Sequence, residues 1–134
     1  MFVSQHFRKS EFDCPCCGLG GDAMDPKLLM VADAVRKHLG PLKVNSGYRC
    51  EDHNELIGST PRSQHRLGTA GDFSFVRRSD INPVNILRLY VTFEDIARKH
   101  LDGYGIGLYN TFVHFDVRNS RARWESFDWP RFSS

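Results

Sequence analysis

The stretch Ser63-Gln64-His65-Arg66-Leu67-Gly68-Thr69-Ala70-Gly71-Asp72 constrains this chain more than any other. It places an imidazole and a carboxylate seven residues apart, with Gly68 and the small pair Ala70-Gly71 between them. A backbone that must bend sharply and bring two side chains to one point needs small residues at the bend. Downstream, Phe112-Val113-His114-Phe115-Asp116-Val117 holds a second histidine inside a strand-like run. Two histidines and one aspartate make a three-ligand zinc set with a fourth position left for water, the pattern of a catalytic site.

With 134 residues, the chain is long enough to bury a core as one domain, and 40% hydrophobic with 25% charged residues is the composition of a soluble globular protein. A net charge of +2 does not point to nucleic acid. Arg118, Arg121, Arg123 and Arg131 crowd the C-terminal end among Trp124, Phe127, Trp129 and Phe132. A nucleic-acid arm needs a longer basic run, so these arginines read as a solvated or core-capping segment. The N-terminus lacks the basic start and long apolar core of a signal peptide, and no apolar run reaches bilayer length. The expectation is a protein made in the cytoplasm, neither membrane-bound nor bound to nucleic acid, and monomeric.

Four cysteines occur, Cys14, Cys16 and Cys17 in one cluster and Cys50 at a distance. Cysteines so placed can build a small structural zinc site, with Cys14, Cys16 and Cys50 as the expected ligands. Read as Cys14-x-Cys16 with Cys17 adjacent, the spacing departs from the usual C-x-x-C. Reduced buried thiols or one disulfide therefore rank above a second metal.

Taken in order, residues 1–24 read as an irregular segment anchored by Phe2, Phe7 and Phe12. A helix follows, with Asp25 as N-cap, Pro26 at its first position and Gly40-Pro41 as its stop. Leu28, Ala32, Val35 and Leu39 form its apolar stripe. Residues 42–46 suggest a strand, 52–57 a short helix closed by Gly58, and 59–66 a polar loop. Residues 69–76 turn extended, with Asp72 and Ser74 on one face and Phe73 and Phe75 on the other. Asn82-Pro83 opens a helix running to about Tyr90, and Thr92 with Asp95 resembles a capping box for a further helix ending near Gly103. Residues 105–109 and 112–118 read as two strands around Asn110-Thr111, with His114, Asp116 and Arg118 sharing a face. The fold class is α+β, a small antiparallel sheet with helices packed on one face, and residues 125–134 form a C-terminal tail.

A lone histidine is more often a surface group or a satisfied core group than a ligand, and His38 and His100 read as ordinary helix positions. His65, Asp72 and His114 differ because a carboxylate in Gly71-Asp72-Phe73 and an imidazole between Val113 and Phe115 need a partner if buried. A shared divalent cation satisfies both, provided the two strands pair antiparallel.

The motif Ser63-x-His65-x-x-Gly68-x-Ala70-x-Asp72, preceded by Ser46-Gly47-Tyr48-Arg49 and Asn54-x-x-Ile57-Gly58, resembles the M15 family of zinc D-Ala-D-Ala carboxypeptidases and phage endolysins. The run Gly105–Tyr109 followed by Phe112–Arg118 is similar to small phage and prophage members, and the likeness spans about residues 42–124. The resemblance implies that His65, Asp72 and His114 bind one catalytic zinc, that Arg49 and Ser63 lie at the substrate, and that the fold is the one shared with the hedgehog signalling domain. It departs from the family pattern at Thr111, which stands where many members carry the general base, three residues before the last zinc histidine. Asp116 is the nearest catalytic carboxylate, roughly 7 Å along the strand from His114. It suits either a base or a carboxylate orienting a zinc-bound imidazole. Glu51, His53 and Glu55 are further candidates for the base.

The function expected is a zinc metallopeptidase, a cell-wall hydrolase cutting peptide bonds in peptidoglycan stem peptides as carboxypeptidase or endopeptidase. It acts on the wall by phage delivery or another route. Its competitors are a zinc-stabilised binding module and a virion or tail structural protein on the same fold.

Overall fold

In the computed structural model the described residues are 1–50, 65 and 67–129. The short helix expected at 52–57, the loop at 59–64, and the residues Glu51, His53, Glu55, Ser63, Arg66, Arg131 and Phe132 lie outside them. The chain forms α1 (Lys9–Phe12), α2 (Pro26–Leu39), β1 (Leu42–Ser46), β2 (Ala70–Phe75), α3 (Pro83–His100), β3 (Tyr104–Tyr109), β4 (Val113–Val117) and β5 (Ala122–Ser126). One five-stranded sheet runs in the order β1-β2-β4-β3-β5. This is an α+β fold, and its sheet is mixed: β5 pairs parallel to β3, while every other neighbour pair is antiparallel.

The helices start and stop where their ends can be satisfied. The Asp25 side chain accepts the Lys27 N–H, Pro26 follows, and Gly40 closes α2 at φ +88°. Asn82 caps α3 by accepting the Asn85 N–H, again with proline next. Two helices were expected between Asn82 and Gly103, and one continuous helix is found. Thr92 does not act as a cap; its hydroxyl donates to the Arg88 carbonyl one turn back, at 2.7 Å. The apolar stripe of Ile86, Leu89, Phe93, Ile96 and Ala97 crosses that point unbroken, and burial outweighs the local capping signal.

Both helices cover one face of the sheet. Between them and the strands runs a chain of rings, Phe7, Phe12, Phe73, Phe93, Phe115 and Tyr104, with successive centroids 5.0–6.2 Å apart. Phe7 and Phe12 anchor the N-terminal segment as expected, while Phe2 is 59% exposed and does not. That segment also holds a helical turn, α1, and Ser4 and the His6 N–H bond Asp33 on α2. Because side chains alternate along a strand, burying Phe73 and Phe115 on the helix side sends Asp72, His114 and Asp116 to the other face.

Three of the C-terminal arginines lie over aromatic rings. Arg118 lies over Trp124, Arg121 over Tyr104 and Arg123 over Tyr90, and Arg123 also pairs with Glu94 at 3.0 Å. Residues 125 and 126, expected in a tail, complete β5. No helix among the described residues is long and apolar enough to cross a membrane.

Candidate metal centre

The antiparallel pairing on which the site depended is present, and the register is direct. Asp72 on β2 stands opposite His114 on β4, and Ser46 on β1 stands opposite Asp72 from the other side. The third member, His65, arrives through a turn before β2. Gly68 permits that turn at φ +74°, where a side chain would also meet the Ala23 carbonyl. The Gly68 carbonyl in turn accepts the Asp25 N–H, tying the turn to the start of α2.

One ligand atom from each of His65, Asp72 and His114 falls within 4.8 Å of the other two. Asp72 Oδ1 lies 3.2 Å from His65 Nε2 and 2.9 Å from His114 Nδ1. Ligands about 2.0–2.1 Å from a tetrahedral zinc are separated by about 3.3 Å, so the spacing is that of a metal set drawn slightly together. His65 and Asp72 are only 3% and 8% exposed.

Proton bookkeeping shows why these residues fit a cation. The Gly47 carbonyl can only accept, so His65 Nδ1, at 2.8 Å, must carry the ring hydrogen. The neutral ring then turns the lone pair of Nε2 toward the Asp72 carboxylate, two electron-rich atoms that face each other unless a cation lies between them. His114 repeats the pattern: Nε2 is 2.7 Å from Asp116 Oδ2 and Nδ1 faces Asp72, yet a neutral imidazole has one hydrogen to give. With Nε2–H donated to Asp116, Nδ1 is left as a lone pair beside the other two donors. A largely buried set of two imidazole nitrogens and one carboxylate oxygen suits zinc.

The charges agree with that reading. Burial alone would raise the Asp72 carboxyl, but in the absence of a metal the His114 and His65 side chains facing it carry it well below the usual carboxylate range. Burial alone would lower His114, yet Asp116 and Asp72 raise it above the ordinary imidazole value. Both effects describe a pocket prepared for positive charge.

Around the donors stands a supporting shell. Asp116 is fully buried, and Arg118 grips it through Nε to Oδ1 and Nη2 to Oδ2, each at 2.6 Å. Against the cost of burial, Arg118 and His114 together hold Asp116 below its usual range. Arg49 places Nη2 3.7 Å from Asp72 Oδ2 and donates through Nε to Ser46 Oγ at 3.3 Å. Burial lowers Arg49, opposed by the charge of Asp72. Its backbone N–H donates to the His65 carbonyl. Ser63 lies outside the described residues, and Thr111 sits exposed in the β3–β4 turn, its carbonyl accepting the Ser74 hydroxyl.

Three participants had been given no role at the site. Trp124 packs beside His114, with ring centroids 5.2 Å apart, and its indole N–H donates to Tyr109 Oη at 2.9 Å. The ring fits there because Gly107 has no Cβ; one would come within 2.4 Å of the indole nitrogen. Gly47 supplies the carbonyl that sets the His65 tautomer, and Arg118 anchors Asp116. The alternation Ala122-Arg123-Trp124-Glu125-Ser126 was the available signal for a strand that brings Trp124 to this face.

The cysteines also gather, in a different set from that expected. Cys14, Cys17 and Cys50 have sulfurs within 4.8 Å of one another, so Cys17 and not Cys16 completes the trio. Cys14 and Cys17 are three residues apart, a C-x-x-C pair that the emphasis on Cys14-x-Cys16 had overlooked.

A small α+β domain presenting a largely buried two-histidine, one-aspartate donor set at the face of its sheet has the framework of a zinc metallopeptidase. The chain belongs to the peptidase M15 family, whose family model matches residues 5–116. That match takes in the N-terminal cysteine cluster, earlier than the likeness seen from residue 42, and ends at Asp116, before the strand that carries Trp124. No curated protein matches the chain in sequence.

Proposed function

We propose that this protein is a zinc-dependent peptidase that hydrolyses peptide bonds in peptidoglycan stem peptides. The observation that carries the reading is the convergence of His65 Nε2, His114 Nδ1 and Asp72 Oδ1, two buried donors and one half-buried donor whose lone pairs meet, within an M15 domain. His65, Asp72 and His114 would hold the zinc. The chemistry supplied by zinc when bound is Lewis acidity toward a water molecule and the scissile carbonyl.

The chain's own residues divide the remaining work. Gly47 fixes the His65 tautomer through its carbonyl. Asp116 fixes that of His114, and with both oxygens already engaged by Arg118 and His114 it is better placed to position the imidazole than to accept a proton from water. Arg49, forked and always charged, has donors beyond those spent on Ser46 and Asp72 for a substrate carboxylate or a carbonyl gaining negative charge. Ser63 is assigned to the substrate with it. The proton acceptor is sought among Glu51, His53 and Glu55, which follow Arg49 directly in sequence. The β5 strand places Trp124 against the His114 side.

The test is incubation of the purified protein with intact peptidoglycan, with and without chelator, followed by mass analysis of released muropeptides. Chelator-sensitive cleavage of a stem-peptide bond is expected, and the fragment masses identify carboxypeptidase or endopeptidase action. Absence of cleavage on every wall chemistry, with zinc bound at the His65 site, favours a binding module over an enzyme.

A further inference from the structure

We propose that Cys14, Cys17 and Cys50 form a second, structural zinc site that fastens the N-terminal segment to the stretch bearing Arg49. The three sulfurs lie within 4.8 Å of one another, and Cys14 and Cys50 are 3.5 Å apart. A disulfide would bring that pair to about 2.05 Å. Ligand sulfurs about 2.3 Å from a tetrahedral zinc stand about 3.8 Å apart, close to what is found.

The backbone is arranged for thiolates. Cys14-Pro15-Cys16-Cys17 makes a tight turn, closed by the Gly18 N–H donating to the Cys14 carbonyl at 2.7 Å and released by Gly18 at φ +68°. The Cys50 N–H donates to Cys14 Sγ at 3.4 Å. The Cys16 and Cys17 N–H groups also face that sulfur. A C-x-x-C turn whose amides point at its first sulfur, joined by a third cysteine from elsewhere in the chain, is a soft-ligand set that selects zinc over harder cations. Cys16 lies beside Cys50 and is exposed.

The location explains what the metal would do. Tyr48 N–H donates to the Phe12 carbonyl at 2.8 Å, and Gly47 packs so closely on Phe12 that a Cβ would meet its backbone. Arg49 is held on one side by the His65 carbonyl and followed on the other by Cys50. A metal on Cys50 locks the segment that supplies both the Gly47 carbonyl and the Arg49 guanidinium. Binding requires loss of the thiol protons, so it tightens with rising pH.

The proposal does not depend on hydrolysis, and its test reads metal rather than activity. The full chain is purified under reducing conditions without chelator, then analysed for zinc and, after exchange, for cobalt absorption. Wild type is expected to hold two metal ions. The His65→Ala/His114→Ala variant keeps one, whose cobalt form shows the intense near-ultraviolet sulfur-to-cobalt band. Cys17→Ser, at an exposed position, loses that band and keeps the other metal. Should the double histidine variant fail to fold, wild type is titrated with a mercurial: stoichiometric zinc release on thiol modification supports the site. A metal complement without any sulfur-to-cobalt band, no zinc release by the mercurial, or a Cys14–Cys50 disulfide in the reduced preparation would overturn it.

Discussion

At the scale of single residues, the account turns on where hydrogens sit on two imidazoles. His114 is the more exacting case, because both its nitrogens face carboxylates and Asp116 can accept only if Nε2 carries the hydrogen. Asp116→Asn should weaken zinc binding at the His65 site by about 10–100-fold while leaving substantial turnover once zinc is saturating. Competition against a chromogenic chelator reads the affinity, and a stem-peptide assay reads the turnover. If Asp116 were the base, affinity would hold and turnover would collapse. Arg49→Lys keeps the charge but loses the fork. It should raise KM for stem peptide by about tenfold or more, in line with about 1.5–3 kcal/mol for a hydrogen bond to a charged group, with zinc content unchanged.

At the scale of elements, burial decides where local signals conflict. The Asp25-Pro26 and Asn82-Pro83 starts were legible because capping chemistry is local. The pairing of β2 with β4 was legible as a condition, since only that register brings Asp72 to His114. The break expected at Thr92 was misleading because a capping motif counts only where a helix ends, and the buried stripe through Phe93 carries α3 onward. Thr92→Ala should therefore change stability by no more than about 0.5 kcal/mol, or raise it, whereas loss of a true N-cap costs about 1 kcal/mol. Urea unfolding distinguishes the two. Strand β5 was missed for a different reason. Its parallel partner, β3, is separated from it in sequence by the whole of β4, and the short alternation around Trp124 is a weak signal in a strand whose residues are mostly exposed.

At the scale of the molecule, the donor set couples folding to pH in opposite senses with and without metal. Without metal, the raised His114 contributes stability below its unfolded value near 6.5, and this is lost as pH rises through the folded value. The lowered Asp72 contributes above about 3.9 and is lost as pH falls through its folded value. The contribution of the pair to the apoprotein is thus greatest between about pH 4 and 6.5. Zinc needs the same nitrogen deprotonated, so its stabilising increment should grow as pH rises through the His114 range. Thermal unfolding with and without zinc, at a series of pH values, checks this; an increment constant from acid to neutral pH would show that His114 is not a ligand.

Only part of the site was legible in the sequence, for a physical reason. His65, Asp72 and His114 stand out because ligand types cluster beside small residues, a signal carried within short motifs. Gly47, Trp124 and Arg118 act through a carbonyl, a ring over a glycine and a carboxylate clamp, and their contacts exist only once the strands pair. Cys50 joins Cys14 and Cys17 for the same reason, across the whole of α2 and β1.

The most direct test of the central claim is zinc reconstitution of the metal-free protein with stem-peptide hydrolysis followed at each addition. Activity is predicted to be absent without metal and to rise with occupancy of the His65–Asp72–His114 site, while His114→Ala folds and stays inactive at every zinc level. Hydrolysis that persists in fully demetallated protein, or that His114→Ala retains, would contradict the account.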